Sequence, residues 1–262
     1  MPDTPIEEPP RTGAPVKDPW ARLRATTSAR IGLGRVGDAM RTTDVLAFQL
    51  AHGRARDAVH TPIDIEAIAS ALPAPPIIVK SQAPDRATYL RRPDLGRRLD
   101  PACRGLLEPG GYDAVFVIAD GLSASGVQLH AVPFLTACME RLKSWNVAPV
   151  VIATQARVAL GDEIAAGLGA RICAMLIGER PGLSVADSLG VYLTYDPKVG
   201  RRDSERNCIS NIHPAGLRYE QAAEKLVWLM TEARNRKLTG VNLKDDVAGL
   251  PRDVRVKIEH QG

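Results

Sequence analysis

The sequence predicts an α/β fold in which a doubly wound, mostly parallel sheet follows a helical N-terminal segment. Two observations carry that expectation. After Gly110-Gly111, continuous apolar runs of strand length alternate with stretches of helical periodicity, joined by short connections. Before those glycines the text is arginine-rich, and its apolar residues recur at helical intervals.

Residues 1–19 form a proline-rich arm with too few apolar groups to offset chain entropy, so disorder is expected there. Residues 20–110 form the helical, arginine-rich segment. Within it, Thr42 to His60 opens on Thr and Asp, places Val45, Leu46, Leu50 and Ala51 at helical spacing, and stops before Pro62. IDIEAIASAL adds a shorter helix, PAPP breaks the chain, and residues 77–111 read as irregular apart from helical turns around PDRATYLRRPDLGRRL. Residues 111–246 form the sheet domain and residues 247–262 a tail.

In the sheet domain, YDAVFVIAD (Tyr112 to Asp120) is an uninterrupted apolar run bounded by glycines, as a strand buried on both faces requires. GLSASGVQLHAVPFLTACMERLKSW follows as a helix capped by Ser123 or Ser125, which Pro133 should kink or restart. VAPVVIAT is a second strand, Ala156 to Gly169 a second helix with a glycine stop, and ARICAMLIG a third strand. After the loop ERPGLSVAD comes a fourth strand, SLGVYLTY, and Tyr219 to Leu238 is a closing amphipathic helix. RNCISNI, between them, reads as a loop.

Hydrophobic residues make up 45% and charged residues 24%, and no run approaches the ~18 apolar residues of a membrane span. The opening residues lack the order of a signal peptide, so a cytoplasmic chain is expected, with the proline-rich arm a candidate address for a bacterial microcompartment. Residues 1–104 hold 16 Lys and Arg against 12 Asp and Glu, with 18 against 18 afterwards, so the whole net charge of +4 comes from the front. Aromatics are only 4% and do not interleave with the arginines, which argues against nucleic acid and for a solvated face or a protein contact. Cys103, Cys138, Cys173 and Cys208 form no C-x-x-C pair, so neither zinc nor disulfides are expected, and the first three read as buried thiols.

GLGRVG, Gly32 to Gly37, spells G-x-G-x-x-G, with Asp57 20 residues beyond its last glycine. That pattern binds a dinucleotide only between a buried strand and a helix. Charged residues at helical intervals precede Gly32, and Asp57 falls inside a helix. The glycines are therefore expected to serve tight turns or close packing. No P-loop, no H-E-x-x-H, no G-x-S-x-G and no Cys–His arrangement is present, and His52 and His60 lack a third ligand.

Ligands on a parallel sheet bind beyond the carboxyl ends of its strands. Those ends are Asp120-Gly121, Ala153-Thr154 and Gly178-Glu179, so a site is expected where DGLS, ATQARV and GERPGL converge. Glu179 stands out because a carboxylate directly after a buried strand is costly unless paired or hydrogen-bonded. The structural alternative to a functional role is an ion pair with Arg180 or a loop anchor.

TSARIGLGRVG, DVLAFQLAHGRARDAVH, DRATYLRRPDLGRRL, ADGLSA, GERPGLSVADSLGVYLTY, ERNCISNIHPAGL and GVNLKD, in order from about Thr27 to Asp245, together resemble the small (light) subunit of ethanolamine ammonia-lyase. The resemblance implies an adenosylcobalamin-dependent radical lyase that converts ethanolamine to acetaldehyde and ammonia, and a hetero-oligomer with a TIM-type large subunit that holds the substrate. The small subunit is then a Rossmann-like wall against the corrin, without catalytic or metal-ligating residues of its own. Carried over by motif, the coenzyme contacts fall on Val158, in ATQARV where some relatives have glycine before the arginine, on Glu179 of GERPG, and on Cys208 of CISNI. None of His52, His60, His130, His213 or His260 sits in the D-x-H-x-x-G pattern of base-off cobalamin proteins, so base-on binding is expected. The rival readings are an NAD-dependent oxidoreductase and a non-catalytic scaffold subunit.

Overall fold

The computed structural model describes residues 18–27 and 29–244. The tail and nearly all of the proline-rich arm lie outside those residues. The chain divides into two compact units between Leu50 and Ala51. The first contains a short helix, α1 (Ala21–Arg24), and the start of α2 (Thr42–His60). Gly32, Gly34 and Gly37 all have positive φ, at 55°, 69° and 60°, so the three glycines are turn residues. A Cβ at Gly32 would overlap the Trp20 ring. Apart from α1, the stretch before Gly37 has only the isolated bridge Val36–Ala39, so the buried strand that a dinucleotide loop needs is missing among the described residues.

The second unit continues with α3 (Ile65–Ser70), β1 (Ile77–Lys80), α4 (Arg86–Arg91), β2 (Ala114–Ala119), α5 (Ala124–Met139), β3 (Val151–Thr154), α6 (Leu160–Gly167), β4 (Ile172–Gly178), β5 (Leu189–Tyr195), β6 (Asn207–Ile212) and α7 (Tyr219–Arg236). Side-chain caps explain several starts. Asp64, Asp85 and Ser123 accept from Ala67, Thr88 and Gly126 at the N-termini of α3, α4 and α5. A kink or restart was expected at Pro133; helix α5 does not restart there but continues from Ala124 to Met139. Pro133 and Leu129 are both exposed, so the carbonyl that the proline cannot serve lies on the solvent side.

The sheet has six strands in the order β1-β3-β2-β4-β5-β6. β1, β3, β2 and β4 are parallel, whereas β5 is antiparallel to β4 and β6 to β5. Strands β3 and β4 thus flank β2 on opposite sides, and the winding reverses at β2. Side chains of β2 alternate between two separate cores. Phe116 and Ile118 join α5 and α7 on one face, and Val115 and Val117 join α6 on the other. All six β2 residues are buried, which is why its sequence reads as one continuous apolar run.

Two strands depart from the sequence expectation. β1 lies in the stretch read as irregular, and it is a short edge strand in which Val79 is buried and Ile78 is 48% exposed. β6 occupies RNCISNI, read as a loop. Its buried residues, Ile209 and Ile212, are three apart and oppose Val191 and Leu189, which are two apart. One extra residue is bulged out on β6, where Asn211 has φ 61°, and the bulge erases the alternation by which a half-buried strand is recognised. No helix among the described residues is long and apolar enough to cross a membrane.

Candidate functional site

The carboxyl ends of β2 and β3 are tied together by one buried carboxylate. Asp120, 3% exposed at the end of β2, accepts from the backbone amides of Gln155 at 2.8 Å and Ala156 at 3.0 Å. This draws in the loop after β3, where Gln155 takes a left-handed conformation (φ 53°). Burial raises the Asp120 carboxyl above its ordinary value, against the pull of those amides and of Arg86. Arg86 reaches Asp120 at 3.5 Å, donates to the Gly121 carbonyl at 2.9 Å, and through Nε to the Val59 carbonyl at 2.7 Å. Helix α4 thereby docks over the sheet end. Its Tyr89 donates to the Ala156 carbonyl and is overlaid by the guanidinia of Arg86 and Arg157.

The loop after β4 meets the turn after β2 by close backbone approach. The Leu122 amide donates to the Gly178 carbonyl at 3.0 Å, and the Ser123 hydroxyl to the Ala186 carbonyl at 2.9 Å. A Cβ on Gly121 would run into the Gly178 carbonyl, so Gly121, with φ 55°, has no substitute there. DGLS, ATQARV and GERPGL therefore converge at the point where the strand order reverses.

Beside this crevice the α6 side of the sheet is only partly covered: Gly190 and Thr194 are buried, Tyr192 is half-buried and Cys208 is exposed. Core residues on the α5 and α7 side extend across all of β4, β5 and β6, from Ala174 to Ile209 and Ile212. On the α6 side the buried cluster stops at β4, and of β5 only the half-buried Tyr192 packs against it. Gly190, Tyr192 and the cross-strand partner of Tyr192, Cys208, thus form a shelf. The Glu179 side chain lies over Gly190, where an added Cβ would sit 3.0 Å from Oε1, and its Oε2 accepts from the Asn211 amide at 3.1 Å. That bond, rather than an ion pair with Arg180, holds the carboxylate in place.

Glu179 and Cys208 both act on Tyr192. Burial first, then Cys208 and Glu179, push the phenol up to about 12. Burial raises the Cys208 thiol above its ordinary value, with Glu179 adding to the rise and hydrogen bonding to Tyr192 opposing it. Val158, half-buried two residues before α6, packs against the same apolar cluster as Tyr192. The entry to β6 is pinned by Arg206, which forms a bidentate pair with Asp162 of α6 at 2.7 Å, donates to Thr194 at 2.8 Å and has a side chain only 1% exposed. Among the four cysteines Cys208 is exposed, while Cys103, Cys138 and Cys173 are buried as expected.

Tyr192, the Asp120–Arg86 pair and the Arg206–Asp162 pair had no sequence signature. Each joins residues 12 to 44 positions apart or, for Tyr192 and Cys208, depends on a cross-strand register. His130 is engaged with Tyr219 at 2.8 Å, and His213 with the side chain of Asn211 at 2.9 Å.

The family model of the ethanolamine ammonia-lyase light chain matches residues 17–244. The chain belongs to the ethanolamine ammonia-lyase light chain family. Among its relatives, the ethanolamine ammonia-lyase small subunit of Azotobacter vinelandii is 51% identical over 241 residues, covering 88% of this chain and 89% of that one. The small subunit of Pseudomonas fluorescens strain Pf0-1 is 52% identical over 241 residues, covering 88% of both. That of Rhodococcus erythropolis is 51% identical over 238 residues, covering 88% and 92%. The matched region spans both units of this light chain and every element of the sheet.

Two outcomes follow from the geometry of this light chain. Replacing Asp120 by Ala should cost about 3 kcal/mol in urea unfolding, because two buried amides and a buried guanidinium lose their acceptor. Asp120→Asn should cost less, since it keeps one acceptor. In the native chain a thiol reagent should label Cys208 alone, slowly at pH 7 to 8 and faster only as the pH passes the ordinary thiol value. Fast labelling at neutral pH, or more than one reactive thiol before denaturation, contradicts the assignment.

Proposed function

We propose that this chain is the coenzyme-contacting small subunit of an adenosylcobalamin-dependent ethanolamine ammonia-lyase, acting with a large subunit that holds ethanolamine. The observation that carries the reading is the shelf. Val158, Glu179 and Cys208, the positions indicated by the family motifs, are up to 50 residues apart in sequence, yet all border Tyr192 or its apolar cluster beside the crevice. The doubly wound arrangement, with helices on both faces and a reversal at β2, is Rossmann-like, and its ligand end is the one that the shelf adjoins.

The residues fit a corrin. Its periphery is rich in neutral amides, and Glu179 has one oxygen engaged by the Asn211 amide and the other lying over Gly190, ready to accept an amide N–H. Val158 supplies an apolar contact, and the exposed Cys208 sits on a flat strand face that permits close approach. The coenzyme supplies the organic radical that takes hydrogen from the substrate. This chain orients the coenzyme and keeps water from that face.

The N-terminal segment is proposed to contact the large subunit. Trp20, Leu23, Val36, Met40, Leu46, Phe48 and Leu50 of the first unit are each 44 to 65% exposed, an apolar surface unusual for a protein that works alone.

In the complex reconstituted with the large subunit, Glu179→Ala and Glu179→Gln should weaken adenosylcobalamin binding in a spectrophotometric titration; unchanged affinity would remove Glu179 from the site. Leu46→Asp with Leu50→Asp, one helical turn apart on α2, should abolish co-purification with the large subunit while leaving the melting temperature of the isolated chain within about 3 °C. A variant that still co-purifies would exclude this face from the interface.

A further inference from the structure

Helix α2 has almost no core of its own. Of its 19 residues Ala58 alone is buried, and Ala58 belongs to the second unit. Thr42 to Leu50, in the first unit, contains no buried residue, although Val45, Leu46, Ala47, Phe48 and Leu50 make it mostly apolar. Helices in proteins draw most of their stability from packing, and this half of α2 has no buried side chain to supply it.

The placing of the exposed groups shows what shape of neighbour is missing. At about 100° per residue, Leu46, Leu50, Ala47 and Phe48 follow one another over an arc of about 200° around the helix axis. Leu46 is 58% exposed, Leu50 56% and Phe48 44%, and Ala47 is exposed between them. The Arg30 guanidinium lies 5.7 Å from the Phe48 ring and still leaves that ring open. An ordinary surface helix buries a stripe of about 100° against one neighbour. A flat partner would therefore leave one edge of this arc, Leu46 or Phe48, in water.

Charge and symmetry decide between partners. Residues 18–50 carry Arg22, Arg24, Arg30, Arg35 and Arg41 against Asp18, Asp38 and Asp44. Asp18 and Asp44 are paired with Arg24 and Arg41, and Arg22 and Arg35 are exposed. A second copy would bring this cationic surface against itself, and a two-fold pair of α2 helices would bury only one stripe on each. A groove covers the whole arc, and acidic groups on its rim would meet the arginines.

Resting on the reading that the N-terminal segment contacts the large subunit, we infer that Thr42–Leu50 lies inside an apolar, acid-rimmed groove of that subunit, enclosed over the arc from Leu46 to Phe48. The segment is then an inserted helix and not a face laid against a surface.

Hydroxyl-radical footprinting of the wild-type chain, free and in the complex with the large subunit, reads each side chain separately. Leu46, Leu50 and Phe48 should all be oxidised in the free chain. In the complex all three should lose that reactivity, down to the level of a core residue such as Phe134. Loss at Leu46 and Leu50 with Phe48 unchanged would mean a flat contact and overturn the groove, while leaving the interface itself in place. No loss at any of the three overturns the interface reading and this inference with it. Protection already present in the free chain, together with a dimer on gel filtration, would assign the arc to a second copy and overturn the large-subunit groove. Ala47→Glu and Phe48→Gln, in the middle and at the far edge of the arc, should each weaken co-purification with the large subunit roughly ten-fold, since each puts a polar group into an apolar wall. Wild-type recovery of both variants contradicts the enclosure. Added salt should weaken the wild-type complex, and salt-insensitive assembly overturns the acidic rim.

Discussion

The site end of this protein depends on the Asp120 carboxylate. It is the last polar group on the most buried strand, and its two oxygens take the two amides that begin the loop after β3. Without that acceptor, Gln155 would have no compensation for its left-handed backbone, and the ATQARV segment would lose its hold on the sheet. Arg86 answers the same carboxylate from the opposite direction, bringing α4 and its Tyr89 down on the loop. A buried carboxylate of this kind is costly, and it is retained here where the loop after β3 and helix α4 are held against the end of β2.

A second constraint is the unequal covering of the sheet. Two long helices, α5 and α7, cover one face through to β6, whereas α6 is eight residues long and covers the other only as far as β4. The partly covered surface of β5 and β6 on that side is not apolar waste. It carries a glycine, a phenol, a thiol and a carboxylate, with the edge strand held in place by the Arg206–Asp162 pair beneath it.

Much of the central sheet was legible in the sequence because a parallel strand buried on both faces must be apolar at every position, as AVFVIA and ICAMLIG are. The edge strands were not. β1 has one buried face and four residues between turn signals, and β6 has a bulge that destroys its period of two. Part of the candidate site was also legible. Glu179 was marked by its position after a buried strand, and the convergence of the three loops followed from strand–helix alternation alone. Tyr192 gave no signal, because a tyrosine in an apolar strand looks like core until its face is known.

The sequence by itself determined the alternation of strands and helices, the buried cysteines, the failure of GLGRVG as a nucleotide loop and membership of the light chain family. These are encoded locally, in the apolar periodicity of each segment and in the chain order of its motifs. Only the tertiary structure decided which face of β5 Tyr192 occupies, that Cys208 lies on a strand opposite Tyr192, and that four arginines from positions 97 to 202 share one cavity. Those are properties of register and helix length, which bring distant residues together through the packing of the whole sheet and leave no local pattern to read.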